Sequence, residues 1–453
     1  ATAGKTLSAD AVSVGDGAGA VTLGESIGDG TLQIGSGVGE LALVNRSTNA
    51  LTVNAAVAES VAGTALVKGG KGAVSLNGRV SVTGTNRVTE GSLTLGALAG
   101  SSHVVGSAVD MTGGGETPVT LEVKGASEVV DYGNFSAGLV AGDRCVVKID
   151  GDLSVQASPG TVGGRMYVGN GLGVSGAVIQ RSGAFNVSTG LSSAAFLVLG
   201  NNGGYGYQRM TGGSLRCGEI AVGSSGALGD GNASVFDLLG GDVTLDKWCL
   251  LLAWGKGASA LNLFGGSFSG EGAGGEVIFA YNGGSAITAQ LNLLGAGARM
   301  FDRGAAVYKL INLSRGGTNT LGAVNLNAGE LTLYRAHASF ANLTNNTTTP
   351  TYFNFNGGLL KAAANSAQLM QGLTAAHVYP SGARIDTAGF DATINQPLIA
   401  PAGYGVAGIA LATAGAGYIG APVVLIAGGS GKGATAIALV DLEEGSPFCG
   451  QVT

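Results

Sequence analysis

Two markers alternate through the middle of the chain with a shared period of about 28 residues, and this limits the available folds more than any other feature. The first is a short apolar run ending in a small residue: Met166-Tyr167-Val168-Gly169, Leu197-Val198-Leu199-Gly200, Ile220-Ala221-Val222-Gly223, Leu250-Leu251-Leu252-Ala253 and Val277-Ile278-Phe279-Ala280. Their final residues lie 31, 23, 30 and 27 positions apart. The second is a glycine turn: Ser182-Gly183, Gly212-Gly213, Gly240-Gly241, Gly265-Gly266 and, more loosely, Gly295-Ala296. Each unit reads as two or three short strands with period-2 alternation, as in Ala260–Phe264, joined by Gly-, Asn- and Ser-rich turns. Such a unit cannot bury its apolar face alone. Stacking units solves the problem, because each strand then pairs with its equivalent above and below. The expected fold is therefore all-β, a right-handed parallel β-helix (β-solenoid). Sandwich domains would also suit strands at this spacing, but they need no two-marker period.

Composition fits the stacked arrangement. Of 453 residues, 84 are Gly, about 18.5% against a usual share near 7%. Coil corners use glycine because they need positive φ and close backbone approach. The hydrophobic share of 45% excludes a disordered low-complexity chain, and eight prolines without a three-residue glycine period exclude collagen. Only 11% of residues are charged, the net charge is −6 and no basic cluster occurs, which argues against nucleic acid or an anionic membrane as partner. The longest apolar run, residues 248–254, is too short to form a membrane-spanning segment. A surface of Ser, Thr, Asn and Gly suits a secreted protein. With no basic or apolar leader before Ala1, the expectation is an exported chain whose signal peptide has been removed.

Along the chain, residues 1–160 read as irregular solenoid coils, 161–322 as the regular repeats, 323–400 as further coils and 401–453 as a small Gly-rich β module. Strands are expected at Val21–Leu23, Thr31–Ile34, Leu41–Val44 and Leu51–Val53, and in the last module at Val406–Leu411, Val423–Ala427 and Ala434–Leu442. The Ala-rich stretch Lys361–Met370 is the one helix-like segment, expected as a short helical turn or a loop on the solenoid wall.

Several segments resemble a known family. Leu51–Ala58, Leu66–Gly78, Thr83–Asn86 and Glu90–Leu95 are similar to the autotransporter-associated β-strand repeat of large secreted passenger proteins, many from Planctomycetes- and Verrucomicrobia-type bacteria. The same grammar returns at Gly316–Thr320 and Asn327–Leu333. Asn354–Leu360, Met370–Thr374 and Ile385–Asp391 resemble the segment that often follows it. Gly415–Pro422 with Gly428–Thr435 resembles a short β-rich module of bacterial surface proteins. The resemblance implies a secreted β-solenoid passenger and carries no catalytic residues to transfer. Family members usually continue into a membrane-anchoring barrel or a sorting signal, and neither pattern lies within residues 1–453.

Residues able to do chemistry are sparse, and no catalytic, cofactor-binding or metal site is expected. Glycoside cleavage needs two carboxylates at a fixed separation. Asp150 and Asp152 share strand parity, and Glu128 and Asp143 fall on neighbouring coils, but surface positions explain both pairs. His103, His337 and His377 are far apart and sit in no nucleophile or zinc motif. Gly428–Thr435 lacks the Ser or Thr that a phosphate-binding loop requires after its lysine, since Lys432 precedes Gly433, so a hairpin turn is expected. Asp16, Asp29 and Asp230 lie in Gly-Asp-Gly turns without the repeated nonapeptide of calcium-binding β-rolls. The four cysteines (Cys145, Cys217, Cys249, Cys449) allow three full pairings or free, buried thiols; Cys217 and Cys249 precede equivalent strands at offsets that place both on one face, which allows a disulfide across adjacent coils.

These readings point to a non-enzymatic extracellular structural protein. Its solenoid would assemble head to tail with copies of itself into a surface fibre, through termini that include Ala1, Thr2, Leu7, Val406, Ile409, Val423 and Val424. An adhesin that binds surface glycans through Trp248, Trp254, Tyr205, Tyr207 and Tyr281 is the alternative, and a polysaccharide-cleaving β-helix enzyme the less favoured one.

Overall fold

A computed structural model describes residues 4–35, 37, 39–96, 103–131, 134–157, 164–187, 196–224, 232–246, 250–270, 276–281, 288–301, 310–314, 321–338 and 350–453. The fold is a parallel β-solenoid in which every third strand joins the same sheet, giving three sheets. No helix occurs among the described residues. The chain forms two compact units, residues 1–197 with 213–216, and residues 198–212 with 217–453.

In the first unit, the first sheet opens with Thr6–Ala9, Thr31–Ile34, Ala56–Ala58 and Val80–Val82. The second opens with Ala11–Val14, Glu40–Asn45 and Ala65–Gly69, and the third with Val21–Leu23, Leu51–Val53, Ala73–Leu76 and Ser92–Leu95. Alternation decides which side chains stack inward. On the third sheet Val53, Leu76, Leu95, Val123 and Ile149 form one buried column. Their neighbours Thr52, Ser75, Thr94, Glu122 and Lys148 form a half-buried column outside. A column of four or five buried aliphatics removes enough apolar surface to contribute on the order of 10 kcal/mol before chain entropy is counted.

The second unit repeats this plan with larger inward residues. Its third sheet runs from Tyr205–Met210 through Asn232–Leu238, Gly257–Leu263, Thr288–Leu293, Leu321–Leu326, Thr351–Phe355 and Ala375–Val378 to Leu398–Ile399. Phe236, Leu261, Leu291, Val324, Phe353 and Ala376 make one inward column, all fully buried. Phe268 of the first sheet meets Phe236 edge to face at 6.3 Å.

Both sequence markers mark corners. Gly169, Gly200, Gly223 and Ala253 are the penultimate residues of second-sheet strands and Ala280 directly follows one, with φ of +74°, +62°, +79°, +57° and +55°. A left-handed residue here turns the chain toward the third sheet, which explains why only small residues recur. The second marker sits between the third and first sheets. Gly183 and Gly213 have φ of +76° and +80°, and a Cβ on Gly213 would strike the carbonyl oxygen of Gly183 one turn away. These corners thus exclude side chains twice, by conformation and by stacking.

Two expectations are corrected. The Ala-rich stretch is two strands, Leu359–Ala362 and Ser366–Gln371, paired in parallel to Glu330–Leu333 and Arg335–His337. Burial of Leu360, Ala362 and Met370 in the coil interior overrides the helix preference of alanine. The last module is also poorer in strands than expected. Val406–Leu411 is not a strand, Val423 makes a single antiparallel bridge with Ile437, and only Val440–Asp441 pairs with Gln451–Val452.

Candidate functional site

Outward positions of the second unit's third sheet are buried, unlike those of an exposed wall. Tyr207, Val235, Ala260, Gln290, Ala323 and Tyr352 form one outward column and Asp237, Asn262, Asn292, Asn325 and Asn354 the next, and all of them are buried. The C-terminal segment lies against this face at Tyr205, Tyr207, Asn325 and Tyr352. The Tyr205 hydroxyl donates to the carbonyl of Ala421 at 2.8 Å, and Asn325 Nδ2 donates to Thr435 Oγ1 at 3.0 Å. Gly420 lies so close to the ring of Tyr207 and the hydroxyl of Tyr205 that a Cβ would overlap them, and Gly433 abuts Tyr352. We refer to residues 414–453 as the clip. The loop 428–435 is the tip of this clip, bracketed by the Val423–Ile437 bridge.

Beneath the clip runs a hydrogen-bonded ladder with one polarity. Asn262 Nδ2 donates to Asp237 Oδ1 at 2.7 Å, Asn292 to Asn262 Oδ1 at 2.7 Å, Asn325 to Asn292 Oδ1 at 2.6 Å and Asn354 to Asn325 Oδ1 at 2.7 Å. Tyr207 donates its hydroxyl to the other Asp237 oxygen at 2.8 Å. An ionised carboxylate only accepts, so the first amide must present its N–H to it, and every later amide follows the same orientation. At the far end Nδ1 of His377 lies 3.2 Å from Asn354 Oδ1, so Nδ1 carries the proton. The His377 ring stacks on Tyr352 at 5.8 Å. Burial raises the Asp237 carboxyl above its usual range, and the bonds from Asn262 and Tyr207 oppose that shift. Burial likewise lowers His377.

Spacing alone could have revealed the ladder. An Asn flanked by apolar residues recurs as Leu261-Asn262-Leu263, Leu291-Asn292-Leu293, Val324-Asn325-Leu326 and Phe353-Asn354-Phe355, at intervals of 30, 33 and 29. Sequence reasoning also missed Lys68, whose fully buried ammonium reaches the carbonyls of Gly70 and Glu90; burial lowers it to about 8.

The residues singled out from sequence are dispersed. His103 closes a corner of the first unit, with Nδ1 accepting from Val80 N–H at 3.2 Å and Nε2 donating to Gly96 O, and burial lowers its pKa. His337 is buried. Asp150 and Asp152 do not share a strand but flank the corner at Gly151. Asp150 is bound by Arg181, which holds its carboxyl below the usual range, and Asp152 accepts from Ala184 N–H at 2.8 Å. Asp143 caps the backbone N–H groups of Gly113, Leu139 and Val140. Asp29 closes a turn by accepting from Ser26 N–H at 2.7 Å. Glu128 is in Ser127–Asp131, and Asp16 lies in an exposed turn.

The aromatic residues divide between two places. Tyr205 and Tyr207 lie under the clip, whereas Trp254 meets Tyr281 edge to face at 5.8 Å. Cys217 is buried, with Sγ 3.4 Å from the Glu219 carbonyl; Cys145 is buried and Cys449 exposed. Cys249, Trp248, Asp230, Ala1 and Thr2, together with Gly316–Thr320, lie outside the described residues. Leu7 is exposed on the first strand, Val406 and Ile409 are exposed, and Val423 and Val424 are half-buried within the clip. No helix is long and apolar enough to cross a membrane among the described residues. No family model, no curated protein and no solved structure matches the chain.

Proposed function

We propose that this chain is a non-catalytic structural protein of the bacterial exterior, related to the autotransporter-associated repeat, which joins copies of itself head to tail into a fibre. The observation that carries this reading is the last turn of the second unit. Arg384–Asp386, Ala392–Ile394 and Leu398–Ile399 each end a sheet and pair on one side only. Ile385 and Leu398 continue columns that are fully buried one turn earlier at Leu360 and Ala376, yet they are 38% and 37% exposed. An unpaired edge with its inward column open is a template for another strand. Low charge adds little repulsion against such pairing. The commitment of His103, Lys68, Asp143 and Asp150 to corners favours a structural over a catalytic role.

Electron microscopy and sedimentation over a wide concentration range test the proposal. Filaments that vanish in an Ile385→Lys, Leu398→Lys variant which remains folded are expected; dispersed wild-type monomers at every concentration would refute it. One feature favours a second reading, an adhesin. Trp254 and Tyr281 form a half-buried aromatic pair suited to stacking on sugar rings. Glycan-array binding lost on Trp254→Ala supports that reading, and an unreactive array removes it.

A further inference from the structure

We propose that the clip, residues 414–453, is an exchangeable element that covers the third-sheet face of a second copy of this chain as well as its own. The inference rests on the self-association reading for its biological setting, but its contacts are independent of the open edge.

Three observations converge on it. First, the face needs a cover. Tyr207, Val235, Ala260 and Tyr352 would otherwise expose apolar and aromatic surface to water. Second, the clip needs a face. Its regular structure is one bridge and one two-residue pair, and its only buried apolar side chains are Ala421 and Ala438, too little to fold alone. Third, the connection specifies nothing. Residues 400–413 are all exposed and make no hydrogen bond among the described residues. They carry no charge, and neither does any residue from Ala392 to Gly431. A tether of this kind behaves as a flexible coil with an end-to-end distance of roughly 20 Å.

Every contact holding the clip, from Tyr205 to Ala421 and from Asn325 to Thr435, is the same whichever copy supplies it. Only the tether favours the chain's own face, through an effective concentration in the millimolar range. Copies held close together in a fibre reach that range. An exchange passed from each copy to the next is heterologous and does not close, so it propagates.

The test uses two full-length variants in a Cys449→Ser background, Asn325→Cys and Thr435→Cys, refolded together and then oxidised. Neither can form the 325–435 disulfide within one chain. The expected result is a mixed covalent dimer that is scarce in dilute solution and reaches about half of the material near millimolar concentration. The doubly substituted chain should instead give an internal disulfide when dilute. Absence of the mixed dimer at millimolar concentration, with the internal disulfide intact, overturns the exchange. Because Asn325 belongs to the ladder, a photo-crosslinking residue in place of Thr435, in a mixture of isotope-labelled and unlabelled chains, gives a second readout; purely same-isotope crosslinks would also overturn it. The variant Ile385→Lys, Leu398→Lys separates the two proposals, since it should abolish end-to-end filaments and leave the mixed crosslink in place.

Discussion

The outer wall of the third sheet is finished in two different ways. In the first unit Thr52, Ser75, Thr94, Glu122 and Lys148 stand half-buried, and Glu122 gathers Thr94, Lys124 and Arg181 at 3.2, 3.2 and 3.4 Å. In the second unit the equivalent column is an asparagine ladder sealed by the clip. A wall open to water satisfies its polar groups one by one with solvent. A sealed wall must satisfy them among themselves, because an unpaired buried amide costs about 1–3 kcal/mol. Asparagine suits the second case because it both donates and accepts, so one residue type can continue a chain of any length.

Substitution within the two columns should therefore differ most. Asn292→Ala leaves Asn262 Oδ1 and a proton of Asn325 without their ladder partners, so we expect it to destabilise the second unit by about 2–4 kcal/mol. Thr94→Ala in the first unit should cost under about 0.5 kcal/mol. Hydrogen exchange resolved by unit during denaturation reads both, and equal costs would remove the distinction.

The cover itself comes next. Gly420→Val forces a side chain into the ring of Tyr207 and the hydroxyl of Tyr205, and overpacking of this kind costs about 1–3 kcal/mol. The expected outcome is loosening of the second unit with the first unit unchanged.

Acid should move the two units in opposite directions through their aspartates. The carboxyl of Asp150 is depressed by Arg181, so its contribution is present above the unfolded value, about 3.9, and is lost as pH falls through the depressed one. The carboxyl of Asp237 is raised by burial, so its penalty is present above the raised value and is relieved as pH falls through it. Asp150→Asn should flatten the acid limb of the first unit, and Asp237→Asn should remove the opposite trend in the second. Unit-resolved exchange at pH 7 and at lower pH measures each.

A smaller effect than that of the ladder or the cover concerns the corners. Gly223 and Ala253 occupy equivalent left-handed positions, and a Cβ on Gly223 would meet only ordinary contacts at 3.6 Å or more. Gly223→Ala should thus cost about 1 kcal/mol by conformation alone, and Ala253→Gly should recover a similar or smaller amount. Thermal melts of the two variants decide it.

The coil plan was legible because its signals are local. The small residues at 169, 200, 223, 253 and 280 recur where a corner demands left-handed φ, and strand alternation reports its own burial. The ladder was not legible in the same way. Asparagine is depleted from strands, so Asn262 or Asn325 read singly suggests a turn. Its true partner lies about 30 residues away. Lys68 was missed for a related reason, since one of the two carbonyls that hold it, that of Glu90, is brought to it only by stacking. Val406–Leu411 failed in the opposite sense: its apolar pattern is that of a strand, but no neighbouring strand pairs with it. The alanines at 362–364 spoke locally for helix, but Ala362 ends a strand and fills the coil interior, and Ala363 and Ala364 form the half-buried bend after it.

Oxidative footprinting of tyrosines in the intact chain tests most directly whether the second unit's wall is sealed. Tyr207 and Tyr352 should be protected in the native protein and become labelled in the Gly420→Val variant, while exposed Tyr404 is labelled in both. Labelling of Tyr207 and Tyr352 at the rate of Tyr404 in the native protein would contradict the sealed wall.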